Sequence, residues 1–157
     1  MRNTTKILSR HDRAILKALH EDGRMPVTAL AERIGLSPNA TNERLRRLIR
    51  DGVIEGFHAR ISPRALGRTL IAFVEVKLER TSADVFDAFA AAAAAEADIE
   101  ECHMVAGGFD YLLKTRHADM AAYRRFLADA LLTLPGVRET HTFVVMEEVK
   151  SGHPLPS

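Results

Sequence analysis

The segment from Leu30 to Leu48 constrains the fold of this chain more than any other part of the sequence. It contains a short amphipathic helical pattern, a Gly-Leu-Ser-Pro joint that starts at Gly35, and a second helical pattern. Glycine tolerates the left-handed backbone that ends a helix, serine is a favoured N-cap, and proline fits the first helical position. The spacing therefore predicts a helix-turn-helix, with Gly35 ending the first helix and Ser37 capping the second.

The second helix of this motif has an apolar arc and a polar arc at about 100° per residue. Asparagine and arginine fill the polar arc, and they match adenine and guanine edges, while arginine also neutralises phosphate. A solvated charged face is the plain alternative for such a pattern. The side chains predicted to face bases are Asn39, Asn42 and Arg46. Those predicted to lie at the phosphate backbone are Ser37, Thr41, Arg44, Arg47 and Arg50, and Pro38 completes the predicted DNA-binding set.

Charge is unevenly distributed along the 157 residues. Residues 1–60 carry 12 Lys and Arg against 7 Asp and Glu, whereas residues 61–157 carry 10 against 14. This asymmetry indicates that only the first part binds a polyanion. Cys102 is the single cysteine, which excludes an internal disulfide framework and a multi-cysteine zinc site. No signal peptide or membrane span is visible, so we expect a cytoplasmic, nucleoid-associated protein without a membrane partner.

The first part of the chain reads as three helices and a wing. Ser9 and Asp12 form a capping-box-like start for the first helix, and Pro26 and Thr28 open the second. After the third helix, residues 53–57 read as a short extended hairpin or wing. The apolar residues predicted to form the core of this unit are Ile15, Leu16, Leu19, Leu30, Ile34, Leu45, Leu48 and Ile54.

The second part of the chain begins after an extended connector. There the spacing of apolar residues changes from the helical period to the alternation of a strand. Its predicted elements are a strand at 70–78, a helix from 82 or 84 to 95, strands at 99–106 and 109–116 around a turn, a helix from 119 to 134, and a strand at 137–149. The order strand-helix-strand-strand-helix-strand is that of the ferredoxin-like fold, whose helices cover one sheet face. The residues predicted for the bare face are Ile71, Phe73, Phe143 and Val145, and a second copy of the chain is expected to cover them.

The complete prediction is therefore an α+β chain of two domains. A winged helix-turn-helix domain is predicted at residues 1–57 and an extended linker at 58–68. A ferredoxin-like (βαββαβ) domain is predicted at 69–150, and a frayed tail at 151–157.

Several runs of residues resemble the leucine-responsive regulatory protein/AsnC family, and most closely its leucine-responsive branch. One of them reads Glu-Cys-His-Met-Val-Ala-Gly-Gly-Phe-Asp-Tyr-Leu-Leu-Lys-Thr-Arg at 101–116. The others are 12–16, 35–38, 44–48, 134–138 and 143–150, and the similarity covers nearly the whole chain. The resemblance implies a bacterial transcription regulator of amino-acid metabolism genes. It also implies sheet-paired dimers that assemble into tetramers or octamers, with a small amino acid such as leucine or proline bound between dimers.

Carried over residue by residue, the resemblance implies that the effector site contains Met104, Gly107, Asp110, Met120, Phe143, Val144 and Val145. The chemistry suits a zwitterion: Asp110 is an anionic partner for an ammonium group, and the turn at Gly107 exposes N–H donors for a carboxylate. Met104, Met120 and Val145 would form an adaptable apolar wall. An ordinary hairpin turn is the alternative for Gly-Gly followed by Asp.

Other functional classes fit the sequence less well. Cys102, His103 and His141 suggest a metal site, but neighbouring strand residues point to opposite faces, so we predict no metal. No nucleophile-base pair or phosphate-cradling loop is visible, so we predict no enzyme and no cofactor. The alternatives left open are an architectural nucleoid protein that wraps DNA with little sequence preference, and a small ferredoxin-like enzyme with an accessory binding domain.

Overall fold

The computed structural model describes residues 8–151 and divides them into two units, residues 8–60 and residues 61–151. The junction between the units falls inside the connector predicted at residues 58–68. Of the tail predicted at residues 151–157, only Ser151 is among the described residues. Each unit has its own hydrophobic core.

The first unit contains three helices whose ends follow the local capping chemistry. Ser9 and Asp12 form the predicted capping box, in which each side chain accepts a hydrogen bond from the backbone N–H of the other. Gly35 has a φ of 70° after the second helix, and Ser37 caps the third, with Pro38 in its first turn. The predicted helix-turn-helix is confirmed. The helices are α1 (Arg10–Glu21), α2 (Val27–Ile34) and α3 (Pro38–Arg50).

The core of the first unit is small and lies between the three helices. Ile15, Leu30 and Leu48 are almost completely buried, and Ala18 joins them. The other residues predicted for this core pack against that cluster, so the predicted core is confirmed. They are Leu16, Leu19, Ile34, Leu45 and Ile54.

The wing contains no strand, so the extended hairpin predicted at 53–57 is wrong. The backbone N–H groups of Val53 and Ile54 both donate to the carbonyl of Leu48, at 2.9 and 3.1 Å. These bonds hold the chain against the end of α3, where Val53 and Ile54 pack on the core. An extended hairpin would give up both contacts.

The second unit is a four-stranded antiparallel sheet with two helices. The strands lie in the order β2-β3-β1-β4, as the ferredoxin-like prediction requires. The predicted α+β fold is thus confirmed. The elements are β1 (Leu70–Leu78), α4 (Ala83–Ala95), β2 (Ile99–Met104), β3 (Tyr111–His117), α5 (Met120–Asp129), a 3-10 turn (Leu131–Thr133) and β4 (Val137–Val144).

Four predicted elements are longer than the observed ones, and one of them is β3, which begins at Tyr111 rather than at residue 109 and ends at His117. β4 ends at Val144 rather than at residue 149. Its pairing with β1 continues only through the bond from Val145 N to Ile71 O, and β1 begins at Leu70, so residues 147–149 have no strand opposite them. β2 ends at Met104 because the chain then closes the turn at residues 105–110. The last predicted helix breaks into α5 and the 3-10 turn.

The core of the second unit lies between the sheet and its helices. Alternate residues of β1 face this core, as predicted: Ala72, Val74, Val76 and Leu78 are all buried. Phe89 of α4 is fully enclosed among them. On the other face Ile71 is only 5% exposed, so its prediction as an uncovered residue is wrong. It lines a cavity with Pro63 and Val145 within the same chain.

His117 is a buried titratable group in this core. Its ring lies against Tyr123 and Phe126, with centroid distances of 5.3 and 4.9 Å. Burial lowers the pKa of His117, although the Asp98 carboxylate, 3.8 Å from Nδ1, opposes the shift. The folded protein therefore favours the neutral ring, while the unfolded chain binds a proton below about pH 6.5.

We expect His117 to make the second unit less stable in mild acid. Because its folded pKa lies below the unfolded value, its contribution is complete above about pH 6.5 and falls as the pH drops through the folded pKa. His117→Gln should flatten the pH dependence of the unfolding free energy between pH 7 and 5, measured by urea denaturation. The exposed His103→Gln is the matched control. Equal slopes in the wild type and His117→Gln would contradict the assignment.

Candidate DNA-reading helix and effector site

The outward surface of α3 is basic and accessible. Asn39, Arg46 and Arg50 are exposed, and Asn42 is half-buried. The helix begins at Ser37, whose hydroxyl accepts a hydrogen bond from Ala40 N at 3.2 Å. A shallow depression on this surface is lined by Ala40, Glu43, Arg44, Arg46, Arg47 and Arg50.

Thr41 does not belong to this surface, and its prediction as a phosphate contact is wrong. Its side chain is fully buried, and its hydroxyl donates to the carbonyl of Ser37 at 2.9 Å. Its position on the apolar arc of α3 places it under the helix, where no phosphate can reach it. Two other residues of the predicted DNA-binding set lie at the start of the helix and, unlike Thr41, are exposed: Ser37 and Pro38.

Two arginines of the predicted phosphate set are tied to α1. Arg47 Nη2 lies 2.9 and 3.0 Å from the two carboxylate oxygens of Asp12, and Arg44 Nη1 lies 3.2 Å from one of them. The predictions for Asp12 covered only its capping role. The sequence does indicate that Asp12 is buried. It lies three residues before Ile15 and four before Leu16, and so on the face of α1 that packs on the core.

Asp12 is ionised although it is only 4% exposed. Burial raises the pKa of its carboxyl group, but the hydrogen bonds from Ser9 and Arg44 and the positive charge of Arg47 outweigh that cost. The pKa of Asp12 is therefore lower than usual. The cluster is thus a buried carboxylate with two guanidinium partners on the neighbouring helix.

Some residues of the implied effector site lie on opposite edge strands of the sheet. Met104 ends β2, whereas Phe143 and Val144 end β4, and two strands lie between those edges. Three strand spacings separate the edges by about 14 Å. A single ligand the size of an amino acid therefore cannot bridge Met104 and Phe143 within one chain.

Most of the implied effector residues are exposed in the single chain. Val145 is half-buried, and the turn residue Gly107 is exposed. The large apolar side chains among them are 42% to 56% exposed, namely Met104, Met120, Phe143 and Val144. These side chains are therefore accessible to a ligand or to a second copy of the chain.

Asp110 is held rigidly at the end of the turn. Its Oδ2 accepts a hydrogen bond from Leu78 N at 2.7 Å, and its own N–H donates to the carbonyl of Val76 at 2.9 Å. Its carbonyl also accepts from Val105 N at 3.0 Å. A Cβ added at Gly107 or Gly108 would meet no atom within 4 Å, so the turn leaves its backbone open to a ligand.

Cys102 and His103 point to opposite faces of β2, as predicted from strand geometry. Cys102 packs against the core, where burial raises the pKa of its thiol. His103 is exposed, and its Nε2 lies 3.3 Å from Oε2 of Glu101. Among residues 8–151, no three side chains of His, Cys, Asp or Glu gather into a metal-binding group. No helix within that range is both long and apolar enough to cross a bilayer.

Family models match both units of the chain. Residues 8–55 match a winged helix-turn-helix DNA-binding domain, and residues 71–155 match the Lrp/AsnC ligand binding domain. The chain is also similar to the leucine-responsive regulatory proteins of Escherichia coli (strain K12) and Salmonella typhimurium. Each is 51% identical over 150 residues, which are 96% of this chain and 92% of the relative.

Solved structures show the same fold. A transcriptional regulator from Neisseria meningitidis, solved as a complex with L-Met, has a TM-score of 0.89 at 33% identity, covering 96% of this chain and 97% of that one. An AsnC family transcriptional regulator from Agrobacterium tumefaciens also has a TM-score of 0.89, at 28% identity, covering 94% and 96%.

Proposed function

Since this chain belongs to the Lrp/AsnC family of transcriptional regulators, we propose which of its residues read DNA and which bind the effector. It is a DNA-binding regulator of transcription that an amino-acid effector modulates. The observation that carries the residue assignment is the exposed face of α3, on which amide and guanidinium groups stand together.

We assign base reading to three side chains of α3, because the second helix of a helix-turn-helix enters the major groove. Asn39 and Arg46 are seven residues apart, or about 10 Å along the helix. That length spans about three base pairs, so the two side chains would address separate bases within one half-site. Asn42 lies between them. Arg50 and Ser37 lie nearer the ends of α3 and suit the phosphate backbone, whereas Pro38 has no hydrogen-bond donor and would only border the contact surface.

Replacing Arg46 with alanine tests this assignment. If Arg46 reads a guanine, the variant should bind the duplex that the wild type selects from a random pool about 1–3 kcal/mol more weakly, with relaxed preference at one position. Fluorescence titration against the selected duplex and a scrambled duplex measures both effects. Arg13→Ala, which removes an exposed charge from α1, is the matched control.

The outcomes separate the candidate functions. Unchanged affinity and preference in Arg46→Ala would remove Arg46 from the base-reading set. Equal affinity of the wild type for selected and scrambled duplexes would instead favour an architectural protein that wraps DNA.

We propose that the effector site is completed by a second copy of the chain. Met104 and Phe143 lie on opposite edge strands and cannot both contact one amino acid within a single chain, which favours a site that a second copy completes. In such a site Asp110 would bind the ammonium group, and the turn at Gly107 would bind the carboxylate. Met104 and Met120 would contact an apolar side chain, as in leucine, proline or the L-Met of the Neisseria complex.

We further propose that the copies pair through the open sheet face and assemble into dimers and then tetramers or octamers. Phe73 of β1 lies opposite Phe143 of β4 on that face, and Phe143 is about half-exposed. A sheet face with exposed aromatic side chains gains stability when a second copy covers it. A dimer would also place two α3 helices at two half-sites.

A further inference from the structure

The Asp12 cluster joins the helix that starts the DNA-binding unit to the helix that reads DNA. Asp12 of α1 is nearly inaccessible to solvent, yet it contacts Arg44 and Arg47 of α3. The Ser9 hydroxyl donates to the same carboxylate at 2.7 Å. Because a buried charge is tolerated only when it is paired, this carboxylate and its guanidinium partners form one unit.

We infer that Asp12 is a positioning residue for DNA recognition: it fixes Arg44 and Arg47 on α3 so that their remaining N–H groups are directed at the phosphate backbone. The inference rests on the proposed docking of α3 in the major groove. It goes beyond that proposal because it gives a role in recognition to Asp12, which is only 4% exposed and is not among the residues assigned to DNA contact.

The guanidinium groups have donors left for this purpose. Arg47 uses one terminal nitrogen, Nη2, for both oxygens of Asp12, and Arg44 reaches Asp12 and Ser9 through Nη1. The side chain of Arg47 is 45% exposed. Both arginines line the cavity of about 260 Å³ beside Asp12 and also the outward depression of α3. They therefore face α1 on one side and solvent on the other.

Fixing these side chains changes how they contribute to binding. A free arginine loses rotamer entropy when it contacts phosphate, whereas an arginine already held by Asp12 has lost that entropy during folding. The negative charge of Asp12 also weakens long-range attraction to any DNA. Asp12 should thus favour correctly docked complexes over loose ones, which raises specificity at the expense of non-specific affinity.

Asp12→Asn tests the inference, because asparagine keeps an oxygen for the cap but loses the charge. Affinity for the selected duplex should fall about 5- to 50-fold. Affinity for a scrambled duplex should stay equal or rise, and its salt dependence should steepen by about one unit of log K per log salt. Glu32→Gln, which removes an exposed carboxylate from α2, is the charge-matched control and should keep the ratio of the two affinities.

A merely structural role predicts a different result. If Asp12 only stabilises the fold, both affinities fall together with the folded fraction, which circular dichroism measures at the assay temperature. A proportional fall, or an unchanged ratio in Asp12→Asn, overturns the inference. If Arg46→Ala weakens specific binding while Asp12→Asn preserves the ratio, only the positioning role fails; if Arg46→Ala also has no effect, the docking of α3 fails.

A second variant covers the case in which Asp12→Asn does not fold. Arg47→Lys keeps the charge and the capping box but loses the planar fork that bonds carboxylate and phosphate at once. It should lower specific affinity and leave scrambled-duplex affinity unchanged, so an unchanged ratio overturns the inference. Where Asp12→Asn does fold, Arg47→Lys in that background should change the specific affinity little further, whereas two independent roles would give fold-losses that multiply.

Discussion

Replacing Phe89 with alanine is expected to lower the unfolding free energy of the second unit by about 3–5 kcal/mol. Phe89 is fully buried, and its ring centroid lies 4.4 Å from that of Tyr111. Every residue of α4 after Phe89 is alanine, so few other large side chains anchor the helix to the sheet. The cavity left by the ring therefore cannot be refilled from the same helix.

Tyrosine fluorescence during urea denaturation measures this effect in the second unit alone. The chain has no tryptophan, and both of its tyrosines, Tyr111 and Tyr123, lie in the core of that unit. Phe57→Ala is the control, since Phe57 is 51% exposed in the first unit and its loss should leave the tyrosine transition unchanged. A loss below about 1 kcal/mol for Phe89→Ala would mean that the core can collapse around the missing ring.

The features that could be predicted from the sequence depend on residues close together in the chain. A capping box needs two residues three apart, and Ser9 with Asp12 supplies them. The end of α2 needs a residue that accepts positive φ, and Gly35 supplies it. The alternation in β1 likewise follows from a period of two, and it selects the buried face correctly.

The errors occur where a distant partner decides the outcome. Residues 147–149 are predicted as part of the last strand, but β1 starts at Leu70 and so has no residues opposite them. Residues 53–57 also have the composition of an extended segment. However, the first two of their backbone N–H groups donate hydrogen bonds to the carbonyl of Leu48 near the end of α3. Neither limit is visible in the local pattern, because both depend on where another element begins or ends.

The site residues divide in the same way. Helical periodicity already placed Thr41 on the apolar arc, and its burial follows from that arc rather than from its hydroxyl group. The link from Asp12 to Arg44 and Arg47 spans more than thirty residues, so only the folded structure reveals it. The bond between Asp110 and Leu78 N likewise depends on the sheet register.

Asp110→Asn is expected to abolish the response to amino acids while effector-free DNA binding is retained. Removing one partner of a desolvated charge pair costs about 2–5 kcal/mol of affinity, which would place effector binding outside a useful range. Asparagine is preferable to alanine, because its oxygen can still accept the hydrogen bond from Leu78 N that ends β1. The turn geometry should therefore survive, and only the partner for the ammonium group is lost.

Calorimetric titration with leucine, proline and methionine, alongside DNA titration with and without each amino acid, measures both halves of this prediction. Asp129→Asn removes an exposed carboxylate from the end of α5 and should respond like the wild type. A retained response in Asp110→Asn would contradict the assigned pocket. Weaker DNA binding without effector would show instead that Asp110 serves assembly, since residues 61–151 and the DNA-reading helix belong to different units.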